Sequence, residues 1–390
     1  MKIEILDDDL TKRVYDVSAI PKSETVFAMI DSSSKEQSIV EILSVYKGKK
    51  KALLFDKSNQ AIKTFLDQCD FTSLNTIDFT FLLFTSGTTG LPVGAFKSLQ
   101  NLESEVDTLC SLVKEFTPKK VISTVPFIHI YGILTSVLLP YRLHLPLFFK
   151  EHFLPHDLLS NIEPYSIVVT TPLYIKSLVR LSEVRSLKNV LFISSTGPLD
   201  NDTARAFIDK FDTNLIQLFG STETGGIAYK RQDETWWTPL SKVSVSVDKR
   251  ELLNVSSPYV SEFLYDKGIK KTGGEIQSLD YVEFNGERFK IIGRNSQIFK
   301  VGGKRFSTLH VEEILEKMAA VDKAYVSIEY KRGELKDEVL QIYIQCQEPV
   351  NIGIIKKELM KHYGKIQFPI TVSVVEKIPT TALGKKMMPI

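Results

Sequence analysis

Short apolar runs alternate with amphipathic stretches through most of the first 290 residues. Val121-Ile122-Ser123-Thr124-Val125, Ile167-Val168-Val169-Thr170, Val190-Leu191-Phe192-Ile193 and Leu215-Ile216-Gln217-Leu218 read as buried strands, too short and too β-branched for helices. Between Ser98 and Phe116 the pattern changes period. Leu99, Leu102, Val106, Leu109, Leu112 and Phe116 recur at three- and four-residue steps, which predicts a helix with one face on a sheet. Strands alternating with helices predict an α/β domain.

From Trp236 to about Phe284 the texture becomes alternating, as in Val243-Ser244-Val245-Ser246-Val247, and predicts a small β subdomain. Beyond Asn295 an α+β pattern follows: helices over His310–Met318 and Ile352–His362, strands over Ala324–Glu329, Val339–Gln345 and Thr371–Val375. The expected architecture is a large N-terminal domain of mixed β-sheets with packed helices (1–294), followed by a small α+β C-terminal domain (295–390). A chain of 390 residues exceeds one ordinary core, in keeping with two domains.

Composition narrows the function classes. Forty-nine basic against 47 acidic residues leave a net charge of +2, which gives no reason to expect a nucleic-acid partner, and Lys47, Lys49, Lys50 and Lys51 read as a solvated loop. Cys69, Cys110 and Cys346 are scattered, without metal-site spacing, and suit a reducing compartment. The acidic start, Met1 to Asp9, is not a signal peptide, and the apolar stretch Tyr131 to Phe149 is broken by Pro140, Arg142, His144 and Pro146. A cytoplasmic enzyme without a membrane span is expected.

Four segments carry candidate chemistry. Thr85-Ser86-Gly87-Thr88-Thr89-Gly90 follows the apolar run at Phe79–Phe84 and precedes a helix pattern starting near Ser98. Glycines let backbone N–H groups approach an anion, and the hydroxyls add donors, so this is a phosphate cradle or an ordinary polar turn. Phe219-Gly220-Ser221-Thr222-Glu223-Thr224-Gly225-Gly226 ends a strand with a carboxylate among hydroxyls, suited to Mg²⁺ with phosphate, or to a surface loop. Gly293-Arg294 and Lys300-Val301-Gly302-Gly303-Lys304-Arg305 offer a forked donor and a hinge, or a basic linker. Thr381-Ala382-Leu383-Gly384-Lys385-Lys386 places a lysine on a glycine turn near the end, as an anion partner or a basic tail.

In this order the segments resemble those of the adenylate-forming (AMP-binding) superfamily, the acyl- and aryl-CoA synthetases and their kin, over roughly residues 80 to 388. Pro126-Phe127-Ile128-His129-Ile130-Tyr131-Gly132 is similar to the family's Pro-x-x-His-x-x-Gly segment, although His129 alone reads equally as a core histidine. The resemblance implies ATP-dependent activation of a carboxylic acid, then transfer to the thiol of CoA or of a carrier protein's phosphopantetheine. By the same resemblance, Thr85, Ser86, Gly87, Thr88, Thr89 and Gly90 hold the β- and γ-phosphates, Thr222 the α-phosphate, and Glu223 the Mg²⁺. Thr196 and Gly197 pack backbone against the adenine, Phe219 and Gly220 belong to the cofactor-binding set, Arg294 binds the ribose region, and His129 borders the acyl and thiol entry. Lys385 bridges carboxylate and α-phosphate until a mobile C-terminal domain withdraws it and presents Gly302-Gly303 to the pantetheine arm. The implied partners are a small carboxylic acid and, in compact bacterial members with a shortened N-terminus, an acyl carrier protein. The protein itself is then a monomer or homodimer.

The chain departs from that pattern at Val93, where the phosphate loop usually continues with Lys, at Gly274, where an Asp receives the ribose hydroxyls, and at Ser296 in the hinge. Lys97, four residues on from Val93, reads as a substitute for that lysine or, more simply, as a solvated residue at a helix start, and Glu275 or Asp280 as stand-ins for the missing Asp. These departures leave an alternative, a nucleotide- or acyl-binding homologue with lost or weak turnover. Phe127, His129, Tyr131, Tyr174 and Phe219 are candidate pocket walls, fitting an aryl or medium-chain acid, or ordinary core residues.

Overall fold

A computed structural model describes residues 1–31, 34–56, 62, 66–67, 74, 76–86, 92–249, 251–266, 268–294, 298–301, 304–330, 338–346, 350–363, 369–380 and 386–389, with only the backbone at 85–86, 92, 279, 294, 298–301, 304–306, 330, 338 and 363. The chain divides into two compact units, one of Met1–Val245 with Asn254–Ile276, the other of Ser246–Leu253 with Gln277–Ile390. The boundary expected near Asn295 falls outside the described residues.

The first unit is built on a nine-stranded sheet. Strands Leu147–Lys150, Lys120–Ser123, Ser166–Thr170, Leu191–Ser194 and Asn214–Ser221 run parallel at its centre. Lys2–Leu6 and Lys12–Asp16 close one edge, and the hairpin partner Gly225–Arg231 with Thr238–Pro239 closes the other. The near-continuous apolar runs are explained by burial on both faces: Ile167 and Val169 enter one core, and Val168 enters the other. Helices Pro155–Ser160, Pro172–Arg180 and Asn201–Phe211 cover the second face, burying Leu158, Leu178 and Phe207. On the first face lie helices Lys35–Gly48 and Leu99–Val113, and behind them a six-stranded sheet that includes Phe81–Ser86 and Pro92–Lys97.

Two expectations change here. The phosphate-loop segment does not lead straight into a helix. Strands Phe81–Ser86 and Pro92–Lys97 pair antiparallel down to Ser86 opposite Pro92, and the helix begins after them, capped by Ser98 accepting from Asn101 N–H. Gly94 in that second strand is closely packed, and a Cβ there would push the Leu82 side chain, 2.9 Å away, aside. The stretch 236–284 is shared among three sheets. Phe263–Tyr265 and Ile269–Lys271 extend the six-stranded one, while Ser244–Val247, Leu252–Ser256, Glu275–Asn285 and Arg288–Arg294 make a separate four-stranded sheet.

In the second unit, strands Lys323–Tyr330, Glu338–Gln345 and Ile370–Val374 form a three-stranded sheet. Helices Thr308–Glu316 and Ile352–Tyr363 pack on it through Val311, Leu315, Ile355 and Leu359, where the apolar spacing expects them. Among the described residues, no helix is long and apolar enough to cross a membrane.

Candidate active site

Three loops leave parallel strands at the C-terminal edge of the nine-stranded sheet, where open α/β sheets take their ligands. Strand Leu191–Ser194 runs into Ser195-Thr196-Gly197, and its parallel neighbour Asn214–Ser221 runs into the turn that holds Thr222 and Glu223. Ser195 Oγ donates to Leu218 O at 2.8 Å and joins the two loops. The third loop, after Lys120–Ser123, carries His129 into a helix that widens into a π-type turn at Ile133–Leu138. The Tyr131 hydroxyl lies 3.0 Å from Thr170 O and 2.7 Å from Ile193 O, tying that helix to the same edge.

Thr196 combines two unusual features. Its φ of 80° is one that β-branched residues avoid, and its buried Oγ1 has no hydrogen-bond partner within the protein. Beside it, Gly197 is open: a Cβ there would meet only Pro172, at 3.9 Å. Phe219 rests on Trp237 with ring centroids 5.5 Å apart, and Lys230 Nζ sits 4.9 Å from the Trp237 ring. Thr196 and Gly197 thus follow one strand, and Phe219 and Gly220 lie on its parallel neighbour, with Ser195 joining the two.

The turn is braced from within and from beneath. Ser221 N–H donates to Thr224 Oγ1 and Thr224 N–H to Ser221 Oγ, both at 3.1 Å. Gly220 fits only as glycine, since a Cβ would come 2.3 Å from Gly225 O. The Glu223 carbonyl accepts from Ser261 N–H at 2.9 Å and from Lys97 Nζ at 3.2 Å. Lys97, expected in solvent, is fully buried, because it ends an inward-packed strand instead of starting a helix. Its Nζ also donates to Tyr259 O at 2.7 Å. Glu105, on the buried stripe of helix Leu99–Val113, accepts from Gly226 N–H at 2.6 Å. Burial pushes the Lys97 ammonium down and the Glu105 carboxyl up, each shift opposed by the other's charge.

Among the described residues, no cluster of three or more His, Cys, Asp or Glu could hold a metal ion by itself. The donor set at the turn, one carboxylate beside the hydroxyls of Ser221 and Thr222, still fits Mg²⁺, which commonly takes one or two protein carboxylates and completes its shell with substrate phosphates and water. His129 is half-buried, and burial lowers its pKa, with the charge of Asp56 opposing.

Several expected residues lie elsewhere. Gly87, Thr88, Thr89, Gly90, Ser296, Gly302, Gly303 and Lys385 fall outside the described residues, and only the backbone of Thr85, Ser86 and Arg294 is described. Of the candidate pocket walls, Phe127 belongs to the core, edge-on to Phe149 at 5.1 Å, and Tyr131 is buried by its carbonyl contacts. Tyr174 is spoken for by Phe153 O. Glu275 is engaged by Asn254, and Asp280, buried, accepts from Ser278 Oγ at 2.5 Å, so neither is a ready substitute at Gly274. The sequence offers Lys97 only as a substitute for the loop lysine and gives Glu105 and Tyr259 no place in the site. The one legible signal was a carboxylate at position 105, between Leu102 and Val106 on an apolar stripe.

The AMP-binding enzyme family matches residues 10–252. A 4-coumarate–CoA ligase of Cereibacter sphaeroides is 27% identical over 254 residues, 65% of this chain and 57% of that protein. The nicotinic acid–CoA ligase OlcI of Penicillium canescens is 25% identical over 289 residues, 67% of this chain and 52% of that protein. The chain thus spans about half the length of the curated relatives it matches. Among solved structures, ATP-bound MatB of Rhodopseudomonas palustris superposes with a TM-score of 0.82 at 17% identity, over 98% of this chain and 93% of that one. The o-succinylbenzoate CoA synthetase MenE of Bacillus subtilis, in complex with ATP and magnesium, gives 0.79 at 15%, over 98% and 94%. Sequence and fold agree, and the chain belongs to the AMP-binding enzyme family.

Proposed function

We propose that this protein is an AMP-forming acid–thiol ligase that joins a small carboxylic acid to CoA. The observation that carries the reading is the braced Ser221–Gly226 turn, which presents Thr222 and Glu223 at the sheet's C-terminal edge, after the strand that Ser195 joins to the loop of Thr196. The CoA-ligase relatives and the ATP-bound states of two fold neighbours support it.

In the first step a carboxylate oxygen attacks the α-phosphorus of ATP. The bond from that phosphorus to the bridging oxygen breaks, and pyrophosphate leaves with the electron pair. In the second, the thiolate sulfur attacks the acyl carbon, the bond to the phosphate oxygen breaks, and AMP leaves. Little covalent chemistry falls to the protein, so positioning and charge supply the rate. Thr222 donates to the α-phosphate. Phe219, backed by Trp237, offers a ring face to adenine, and the unpartnered Thr196 Oγ1 is available to the base or its water. Glu223 would hold Mg²⁺, whose charge offsets that of the phosphates. Lys385 brings a cation to the reacting oxygens, and His129, kept neutral by burial, borders the acyl entry.

The test is carboxylate-dependent exchange of labelled pyrophosphate into ATP over aryl and fatty acids. Exchange with at least one acid, reduced on the order of 10²–10³-fold in Lys385→Ala, is expected. ATP binding without exchange across the panel would instead make the protein a binding homologue. Repeating the second step with CoA and with a phosphopantetheinylated carrier protein decides the acceptor, and transfer to the carrier alone would overturn the CoA assignment.

A further inference from the structure

We infer that Lys97 and Glu105 are positioning residues for the metal-bearing turn, an assignment that rests on reading Glu223 as the Mg²⁺ ligand. The two side chains reach the turn from different elements and hold it at two points, Glu223 and Gly226. Lys97 Nζ donates to the carbonyl of Glu223 itself, the residue whose carboxylate must face the metal. Glu105 accepts from Gly226 N–H, three residues on, at the charge-assisted distance of 2.6 Å. Between these two points the backbone has nowhere to go. A Cβ on Gly225 would lie 2.6 Å from Glu105 Oε2 and 2.7 Å from Tyr259 Cβ, and one on Gly226 would lie 3.0 Å from Glu105 Oε1.

Tyr259 completes the seat. It is fully buried, its carbonyl accepts from Lys97 and its hydroxyl pairs with Thr108 Oγ1 at 2.5 Å and reaches Ser241 O at 2.6 Å. Two ionisable groups are costly beneath a surface turn when hydrophobic residues would fill the space, and a pair serving stability alone would have little need to bond the turn's backbone at two points. Held in this way, Glu223 has a fixed backbone origin, and a carboxylate fixed in advance gives up less entropy on taking a metal. The expected consequence is specific: loss of the pair weakens the contribution of Mg²⁺ to ATP binding more than it weakens ATP binding itself.

Calorimetry of ATP binding in EDTA and in excess Mg²⁺ reads that contribution as a ratio of dissociation constants. The double variant Lys97→Met/Glu105→Leu removes both charges at similar bulk, an exchange that is often neutral for stability. It is expected to melt near the parent and to lose about tenfold of the Mg²⁺ ratio, the loss of roughly one charge-assisted contact. Glu105→Gln keeps an oxygen for Gly226 N–H and is expected to retain most of the ratio. An unchanged ratio in the folded double variant would overturn the assignment. Should the double variant not fold, Glu105→Ala decides in its place, with an unchanged ratio again counting against the pair. Glu223→Gln is the separate control. If the Mg²⁺ ratio survives in that variant, the metal reading of Glu223 fails, whatever the pair does.

Discussion

Each unit of this protein buries a lysine under a segment the family resemblance marks out, and the two lysines are held in opposite ways. In the first unit Lys97 is fully enclosed and donates to two carbonyls, with Glu105 bonded past it to Gly226. In the second, Lys386 donates directly to Glu312 at 2.8 Å, Glu316 at 2.5 Å and Ala324 O at 2.9 Å, with a quarter of its side chain exposed. Burial wins at Lys97 and lowers its pKa. At Lys386 burial pulls the same way, but the charges of Glu312 and Glu316 outweigh it and the pKa rises. Desolvation alone therefore does not set the charge of a buried amine. What decides is how many carboxylates bond it directly.

The same contrast separates what the two anchors hold. Lys386 stands opposite Thr380 in an isolated antiparallel bridge, and Met387 N–H donates to Pro379 O at 2.9 Å. Glu312 and Glu316 also accept from Val326 and Ala324 N–H, so the carboxylates stay engaged without the lysine. Glu105 likewise accepts from one backbone N–H, that of Gly226. Replacing each lysine by alanine should break the symmetry between the units. Lys97→Ala removes, from a fully enclosed site, the charge that opposes that of Glu105 and the donor to Tyr259 O, and is expected to cost about 3 kcal/mol at pH 8 in urea unfolding. That loss shrinks at pH 6, where Glu105, already raised by burial, takes a proton. Lys386→Ala is expected to cost only about 1–2 kcal/mol, since water reaches its site. Equal losses in the two variants would erase the distinction.

Gly225→Ala sharpens the first half of the comparison without touching a charge. Its φ of 72° carries a penalty for any L side chain, and the new methyl meets Glu105 Oε2 and Tyr259 Cβ within 2.7 Å. Strain and overpacking together are expected to cost about 3 kcal/mol. The melting temperature of that variant should fall well below that of Gly273→Ala, where φ is 72° as well but nothing lies within 4 Å of the added atom.

Much of this fold was legible in the sequence, and the reason is periodicity. The parallel strands at 120–123, 166–170, 191–194 and 214–221 and the helices at 99–113, 308–316 and 352–363 all stand where apolar spacing put them. Strand Pro92–Lys97 escaped because hydroxyls and glycines precede it and its length is short, so the turn chemistry hid the strand behind it. The site was legible as far as its strand ends: Ser195 joins the loop of Thr196 to the strand that carries Phe219 and Gly220. The bonds of Lys97 and Glu105 to the turn were not legible, because each crosses from an element distant in sequence, 126 and 121 residues away. Burial of a charge is a tertiary property, and one out-of-place carboxylate on an apolar stripe was its only trace.

His129 tests whether the rule drawn from the lysines extends to a third buried group. Among the described residues no hydrogen bond joins its ring to a carboxylate, and the charge of Asp56 opposes burial from a distance, so burial should prevail as at Lys97, and its pKa is lowered from the usual 6.5. The sign follows from linkage. The unfolded chain holds the proton more tightly than the folded one, so stability is complete above about pH 6.5 and is lost as the pH falls through the lowered folded value. One such group can contribute at most about 1.4 kcal/mol per pH unit over that window. Urea midpoints for parent and His129→Asn between pH 7.5 and 5.5 isolate it from the carboxylates, which titrate in both proteins. The parent should lose stability on acidification faster than the variant. Parallel curves would mean that Asp56 compensates the buried ring fully, and the ordering of burial over distant charge seen at Lys97 would not hold here.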